Sequence, residues 1–218
     1  EKKNIFVVGP LSLENIKNQK FIPTKILENQ INFKFFKKNI LISLHPDYCN
    51  KKKITKNVNS LLNSLKNFKN IGMIFTSSGA DYGGNIINKS FKNFCKKRPN
   101  SKFIPSLGSK KYLSILKNFN LIVGNSSSGI FEAPFLKCYT INLGKRQQGR
   151  ELAFSVVNIP YEKKKIIQTI KKLIKKNFHK GKNPYKFNTY PSDKIIKLIL
   201  NLKKNKSKKY LKNFVDIY

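Results

Sequence analysis

The stretch Leu121-Ile-Val-Gly-Asn-Ser-Ser-Ser-Gly-Ile-Phe-Glu132 decides how the rest of the chain is read. A short apolar run stops at Gly124, and three serines closed by Gly129 make a small polar turn. Apolar residues resume at Ile130, so the segment predicts a buried strand, a tight turn and a helix over 129–136. A helix starting there presents unpaired backbone N–H groups and the positive end of its dipole beyond the strand, and Ser126 and Ser127 add hydroxyl donors. That combination predicts a phosphate site. The competing reading makes one serine an N-cap, although three in a row exceed what capping requires. Glu132, in the first helical turns, is placed to accept from a ribose diol, with compensation of the helix dipole as the alternative.

Outward from this joint the pattern repeats. Short apolar, β-branched runs at 5–9, 40–45, 72–77, 102–105, 120–124, 138–143 and 155–159 predict strands. Helical patterns are expected at 11–20, 23–33, 56–69, 85–97, 109–118, 129–136, 162–177 and 192–202. Apolar strands alternating with helices predict an α/β fold, a Rossmann-like doubly wound parallel sheet. Its ligands bind beyond the carboxyl ends of the strands, so the residues just after each strand are the candidates.

Three further junctions stand out. Ile141-Asn-Leu-Gly-Lys-Arg-Gln-Gln-Gly-Arg150 carries two of the chain's three arginines, and Arg146 there suggests bidentate recognition of a diphosphate or carboxylate; a structural salt bridge is the alternative. In Ile40-Leu-Ile-Ser-Leu-His45-Pro46-Asp47 a histidine closes an apolar strand before a proline turn, a fitting place for a general acid/base or a phosphate donor. In Phe75-Thr-Ser-Ser-Gly-Ala-Asp81-Tyr-Gly-Gly84 the glycines permit tight backbone, and Asp81 either bonds a sugar hydroxyl or caps the next helix, with capping favoured. His179, in a Lys-rich loop, reads as an ordinary surface residue.

Composition bounds the function. With 218 residues, 39% hydrophobic and 12% aromatic, the chain can bury a core, which excludes disorder throughout. A formal net charge of +35 by itself suggests a nucleic-acid or anionic-membrane partner. The residue choice argues otherwise: 27 Asn and 26 Ile accompany the lysines, and Arg98, Arg146 and Arg150 are the only arginines. Lys, Asn and Ile share A/T-rich codons, so biased coding DNA explains all three excesses, whereas a selected nucleic-acid surface would carry more Arg. Cys49, Cys95 and Cys138 are widely spaced without a C-x-x-C, so neither a disulfide framework nor a metal site is indicated, and a reducing cytoplasm is the default. No apolar run is long enough to span a membrane. The chain starts at Glu1 rather than Met, which suggests a fragment, and residues 203–218, rich in Lys, read as a solvated extension following a domain at 1–202.

These junctions, in this order, resemble the C-terminal half of the UDP-N-acetylglucosamine 2-epimerase family, in its hydrolysing branch that opens sialic and legionaminic acid biosynthesis. The similarity rests on Gly124-Asn-Ser-Ser-Ser-Gly-Ile-Phe-Glu-Ala-Pro134 followed by Ile141-Asn-Leu-Gly-Lys-Arg-Gln-Gln-Gly-Arg150, with His45-Pro46, Ala80-Asp81, Ser106-Leu-Gly and Asn183-Pro-Tyr185 at matching spacing. It runs from Val7 to about Leu200. The resemblance implies a GT-B architecture of two Rossmann-like domains facing a cleft, this chain being similar to the second, with the N-terminal domain elsewhere. It implies a UDP-sugar substrate, no cofactor, at least dimeric assembly, Ser126 and Ser127 on the diphosphate, Glu132 on the ribose, Arg146 on the phosphates or nearby sugar, and His45 at the phosphate–sugar junction. Uracil is expected near 103–107. The implied reaction eliminates UDP across C1–C2 of the sugar and hydrates the resulting glycal, on carboxylates of the N-terminal domain. Two positions depart from the family pattern, Gly79 where Asn is usual and Tyr48 where Thr is usual, and both bear on the sugar rather than on the nucleotide. The alternatives are the donor domain of a GT-B glycosyltransferase and a Lys-rich nucleic-acid binder.

Overall fold

The computed structural model describes residues 5–47, 50–178 and 181–204. Among these, six strands make one parallel sheet: β1 (Asn39–Ser43), β2 (Gly72–Thr76), β3 (Ser101–Ile104), β4 (Leu121–Gly124), β5 (Tyr139–Leu143) and β6 (Val156–Ile159). Their spatial order is β3-β2-β1-β4-β5-β6. Strand order therefore reverses between β1 and β4, which leaves a crevice outside their carboxyl ends.

Both faces of the sheet are covered, which is why the central strands β1, β2 and β4 are mostly apolar, with polar residues confined to their ends. Ile40, Ile42, Met73, Phe75, Leu121 and Val123 share one buried cluster with residues of α3 (Lys51–Leu65), α4 (Gly84–Lys96) and α7 (Lys163–Leu173). Leu41, Ile74 and Ile122 belong to the other, with α1 (Leu11–Lys17), α2 (Thr24–Ile31) and α5 (Gly108–Asn118). Aromatic bulk locks the first face: the rings of Phe75 and Phe91, both fully buried, meet edge to face at 4.9 Å. α3 begins at Asn50, whose side chain accepts from the Lys53 amide at 3.2 Å. α8 (Pro191–Lys204) closes the described chain and is tied to α1 by Glu14, which accepts from the Ser192 amide at 3.0 Å.

Two expectations are corrected. Residues 5–9 form no strand; Ile5, Phe6 and Val7 are 72%, 55% and 93% exposed, and the edges of the sheet are β3 and β6. Strand composition there meets no neighbour whose N–H and C=O groups would complete a ladder. The single helix expected over 129–136 is broken into a 3-10 turn (Ser127–Gly129) and a four-residue α6 (Glu132–Phe135). Pro134 is the cause, because in a continuous helix its ring would clash with the Ile130 carbonyl, whereas in the first turn of α6 it is tolerated. The Lys-rich segment 205–218, together with Tyr48, Cys49 and His179, lies outside the described residues.

Candidate functional site

The site is built on the last residue of β4 and the one after it. Gly124 has φ +151°, and a side chain there would overlap the Ser43 carbonyl oxygen of β1, so the two strands approach this closely only with glycine. Asn125, fully buried, then reaches across the crevice. Its Oδ1 accepts from the His45 amide at 2.7 Å, and its Nδ2 donates to the His45 carbonyl at 2.8 Å and to Asp47 Oδ1. Tyr161, two residues past β6, donates to Asp47 Oδ2 at 2.9 Å. On the other side the Asn125 carbonyl accepts from Arg146 Nη1 at 3.2 Å and from the buried Gln147 Nε2 at 2.7 Å. Loops following β1, β4, β5 and β6 thus meet at one residue, through the Asn125 side chain on the β1 side and its main-chain carbonyl on the β5 side, with Tyr161 joined through Asp47.

This setting moves the titrating groups. Burial, then the Arg146 charge, lowers the His45 pKa against an opposing pull from Asp81, so the imidazole is neutral at pH 7. Burial raises the Asp47 carboxyl above its ordinary value, although hydrogen bonds from Tyr161 and Asn125 and the Arg146 charge counter it. Glu132 is raised by burial alone.

A cleft of about 390 Å³ opens over the carboxyl ends of β1, β2 and β4. His45, Ser126 and Glu132 line it, with Pro105 and Leu107 of the segment after β3 as an apolar wall. Ser126 does cap the 3-10 turn, accepting from the Ser128 amide at 3.4 Å, so the capping reading holds for this serine. Ser127 is half-buried and sits beside the cleft, and the lining position goes to Ser128. Arg146 is exposed and makes no ion pair among the described residues, which removes the structural salt bridge as its explanation. Arg150, by contrast, covers the Phe131 ring at 5.1 Å. Gly79 and Asp81 lie in the exposed loop after β2. Asp81 does not cap α4 with its side chain; Gly83 holds the N-cap position, and only the Asp81 carbonyl is engaged, by the Gly84 amide at 2.8 Å. The glycine, with φ +85°, turns the chain into the helix without a side-chain acceptor.

Residues not singled out from sequence are Asn125, Asp47, Tyr161, Tyr112 and Ser128. The first polar residue after a buried strand was the available signal for Asn125; Tyr161, 114 residues from Asp47, carried none. Two other grooves, one beside Lys53, Lys56 and Tyr161 and one between α3 and α4, lack this convergence of hydroxyls, imidazole and carboxylate. Among the described residues no group of three His, Cys, Asp or Glu is placed to hold a metal, and no helix is long and apolar enough to cross a membrane.

Comparison with known proteins bears on this geometry. A family model described as UDP-N-acetylglucosamine 2-epimerase matches residues 1–200. Over 220 residues the chain is 38% identical to the GDP/UDP-N,N'-diacetylbacillosamine 2-epimerase (hydrolyzing) of Campylobacter jejuni, a match covering 100% of this chain and 57% of that protein. It is 32% identical to the polysialic acid biosynthesis protein P7 of Escherichia coli, covering 98% of this chain and 55% of that one. The chain spans about half the length of the curated relatives it matches. Among solved structures, the UDP-GlcNAc 2-epimerase of Methanocaldococcus jannaschii superimposes with a TM-score of 0.68 at 22% identity, over 92% of this chain and 56% of that one. At that identity the likeness concerns the fold, GT-B-like and of the Rossmann type expected from the sequence.

Proposed function

This chain belongs to the UDP-N-acetylglucosamine 2-epimerase family, and we propose that it forms the UDP-binding half of a hydrolysing UDP-sugar 2-epimerase. The observation that carries the reading is the convergence of His45, Ser126 and Glu132 on one cleft at the switch point between β1 and β4, with Arg146 anchored on the neighbouring Asn125 carbonyl. Ser126, which lines the cleft, donates its hydroxyl hydrogen to the diphosphate, and Arg146 adds a planar cationic fork. The Glu132 carboxylate accepts from the ribose hydroxyls. His45, neutral at pH 7, donates an N–H at the junction of phosphate and sugar and so stabilises the charge that grows on the leaving oxygen. The segment after β3 borders the uracil.

In the reaction a base takes the proton from C2 of the sugar while the C1–O bond breaks, its electron pair leaving with UDP. Water then adds to the resulting glycal, a proton reaching C2 on the opposite face and hydroxide C1, which releases the free 2-epimer. The carboxylates for these proton transfers belong to the part of the relatives that this chain does not span. The substrate is UDP-N-acetylglucosamine or a related UDP-sugar such as the diacetylated one named for the Campylobacter relative, in a route to sialic-type acids. Gly79 and Asp81 face the sugar. A homo-oligomer in the cytoplasm, completed by an N-terminal domain, is the assembly this reading implies. Family membership favours it over a glycosyltransferase donor domain, and many of the aromatics are core residues rather than a stacking surface for nucleic acid.

Calorimetry with UDP tests the proposal, alongside a coupled assay for UDP release from UDP-GlcNAc. The chain alone binds UDP, with affinity falling only modestly from low to physiological salt, and it releases no UDP from the sugar nucleotide. Oligonucleotide binding collapses over the same range, because it rests on counterion release. Equal steep salt slopes for both ligands, with Ser126→Ala affecting neither, would reduce the site to part of a lysine-coated surface.

A further inference from the structure

Behind the lining serine runs a chain of hydroxyls. Ser126 Oγ accepts from the Ser128 amide and from Ser128 Oγ at 3.1 Å, and Ser128 Oγ is in close hydrogen-bond contact with the Tyr112 hydroxyl of α5. Tyr112 and Ser43, at the end of β1, line the same cleft, so the row runs from the β4 side of the switch point toward β1. A hydroxyl has one hydrogen, so the row is polarised one way or the other. If Ser128 donates to Ser126, it has to accept from Tyr112, and the Ser126 hydrogen is left without a protein acceptor among the described residues. Reversed, Ser126 donates inward and turns lone pairs toward the cleft. The phenol favours the first direction, because its oxygen lone pairs are delocalised into the ring and make it a better donor than acceptor. Burial holds the Tyr112 pKa well above its ordinary value, so the hydrogen stays in place.

We propose that Tyr112 is a positioning residue for the anion subsite, its hydroxyl acting through Ser128 to present the Ser126 O–H as a donor to a phosphate oxygen in the cleft. The proposal rests on the nucleotide reading above. Its added content is that one buried phenol, which need not touch the ligand, sets the sign of the hydroxyl that does. Cooperative polarisation along the row makes that terminal donor stronger than an isolated serine.

The test is a double-mutant cycle on UDP binding by calorimetry, with thermal unfolding alongside. Tyr112→Phe keeps the ring and should weaken UDP by about 5-fold, and Ser126→Ala by about 10-fold, the scale of losing a polarised hydrogen bond to a charged group. The double variant should bind no more weakly than Ser126→Ala alone. Ser128→Ala, which cuts the middle of the row, should match Tyr112→Phe and serves as the second probe should that variant fold poorly. Inorganic pyrophosphate used as a competitor should show the same factors, because the effect is on phosphate rather than base. Additive losses in the double variant, or unchanged UDP affinity in both Tyr112→Phe and Ser128→Ala, overturn the proposal. Unchanged affinity in Ser126→Ala overturns the nucleotide reading beneath it, a distinguishable failure.

Discussion

Asn125 holds both main-chain groups of His45, accepting from its N–H at 2.7 Å and donating to its C=O at 2.8 Å across 80 residues of sequence. One side chain does at the crevice what a strand ladder does inside the sheet, and it fixes the imidazole without touching it. Asn125→Ala leaves those two groups and the Asp47 carboxylate short of partners in a buried place. A loss of ~2–4 kcal/mol in urea unfolding is expected, together with weaker UDP binding. A stability change within experimental error would show that water replaces the amide.

Gly124 and Gly149 make a matched pair for backbone effects. Alanine at Gly124 meets the Ser43 carbonyl of the neighbouring strand, whereas at Gly149, with φ +85°, the space is open and only the backbone conformation resists. Gly124→Ala should cost ~3 kcal/mol or more and disturb the β1–β4 pairing, and Gly149→Ala ~1–2 kcal/mol. Chemical denaturation of both variants checks the order; equal costs would contradict it.

Arg146→Lys replaces a planar fork with a point charge in a chain that otherwise uses lysine almost throughout. The expected effect is ~1–3 kcal/mol weaker UDP binding with folding intact, since the Arg146 side chain is bonded to a carbonyl rather than to a buried acid. Calorimetry that gives wild-type affinity would leave Arg146 with only its structural contact.

The pH dependence has opposite signs at two cleft residues. Glu132 has a raised folded pKa, so as pH climbs above 4.5 the native state holds on to a proton that the unfolded state has released, and stability falls. His45 has a lowered folded pKa, so its contribution is present above 6.5 and is lost as pH falls below it. Glu132→Gln removes the first effect. Its unfolding midpoint at pH 7 should exceed that of the parent, with the difference shrinking toward pH 4.5, while UDP binding weakens. A midpoint difference that does not change with pH would place the effect outside this carboxyl.

Much of the architecture is legible from local rules. Apolar runs between helical stretches are legible because a parallel sheet covered on both faces favours apolar residues in its strands, and six of the seven expected strands are present. That His45, Ser126 and Glu132 line one cleft is legible because positions just past the strand ends of such sheets border the crevice. Pro134 is equally local, since its ring against the Ile130 carbonyl breaks the helix after the serines.

Tertiary structure alone decided the rest. Residues 5–9 have the composition of a strand, yet a strand exists only when another edge completes its hydrogen bonds, and the sheet offers none there. Nothing local distinguishes Ser126 in the cleft from Ser127 beside it, because the 3-10 turn sets which hydroxyl faces inward. Asn125, His45, Asp47 and Tyr161 form one network only once β1, β4 and β6 take their places in the sheet, since a side-chain hydrogen bond reaches about 3 Å and leaves no periodic trace in the sequence between its partners.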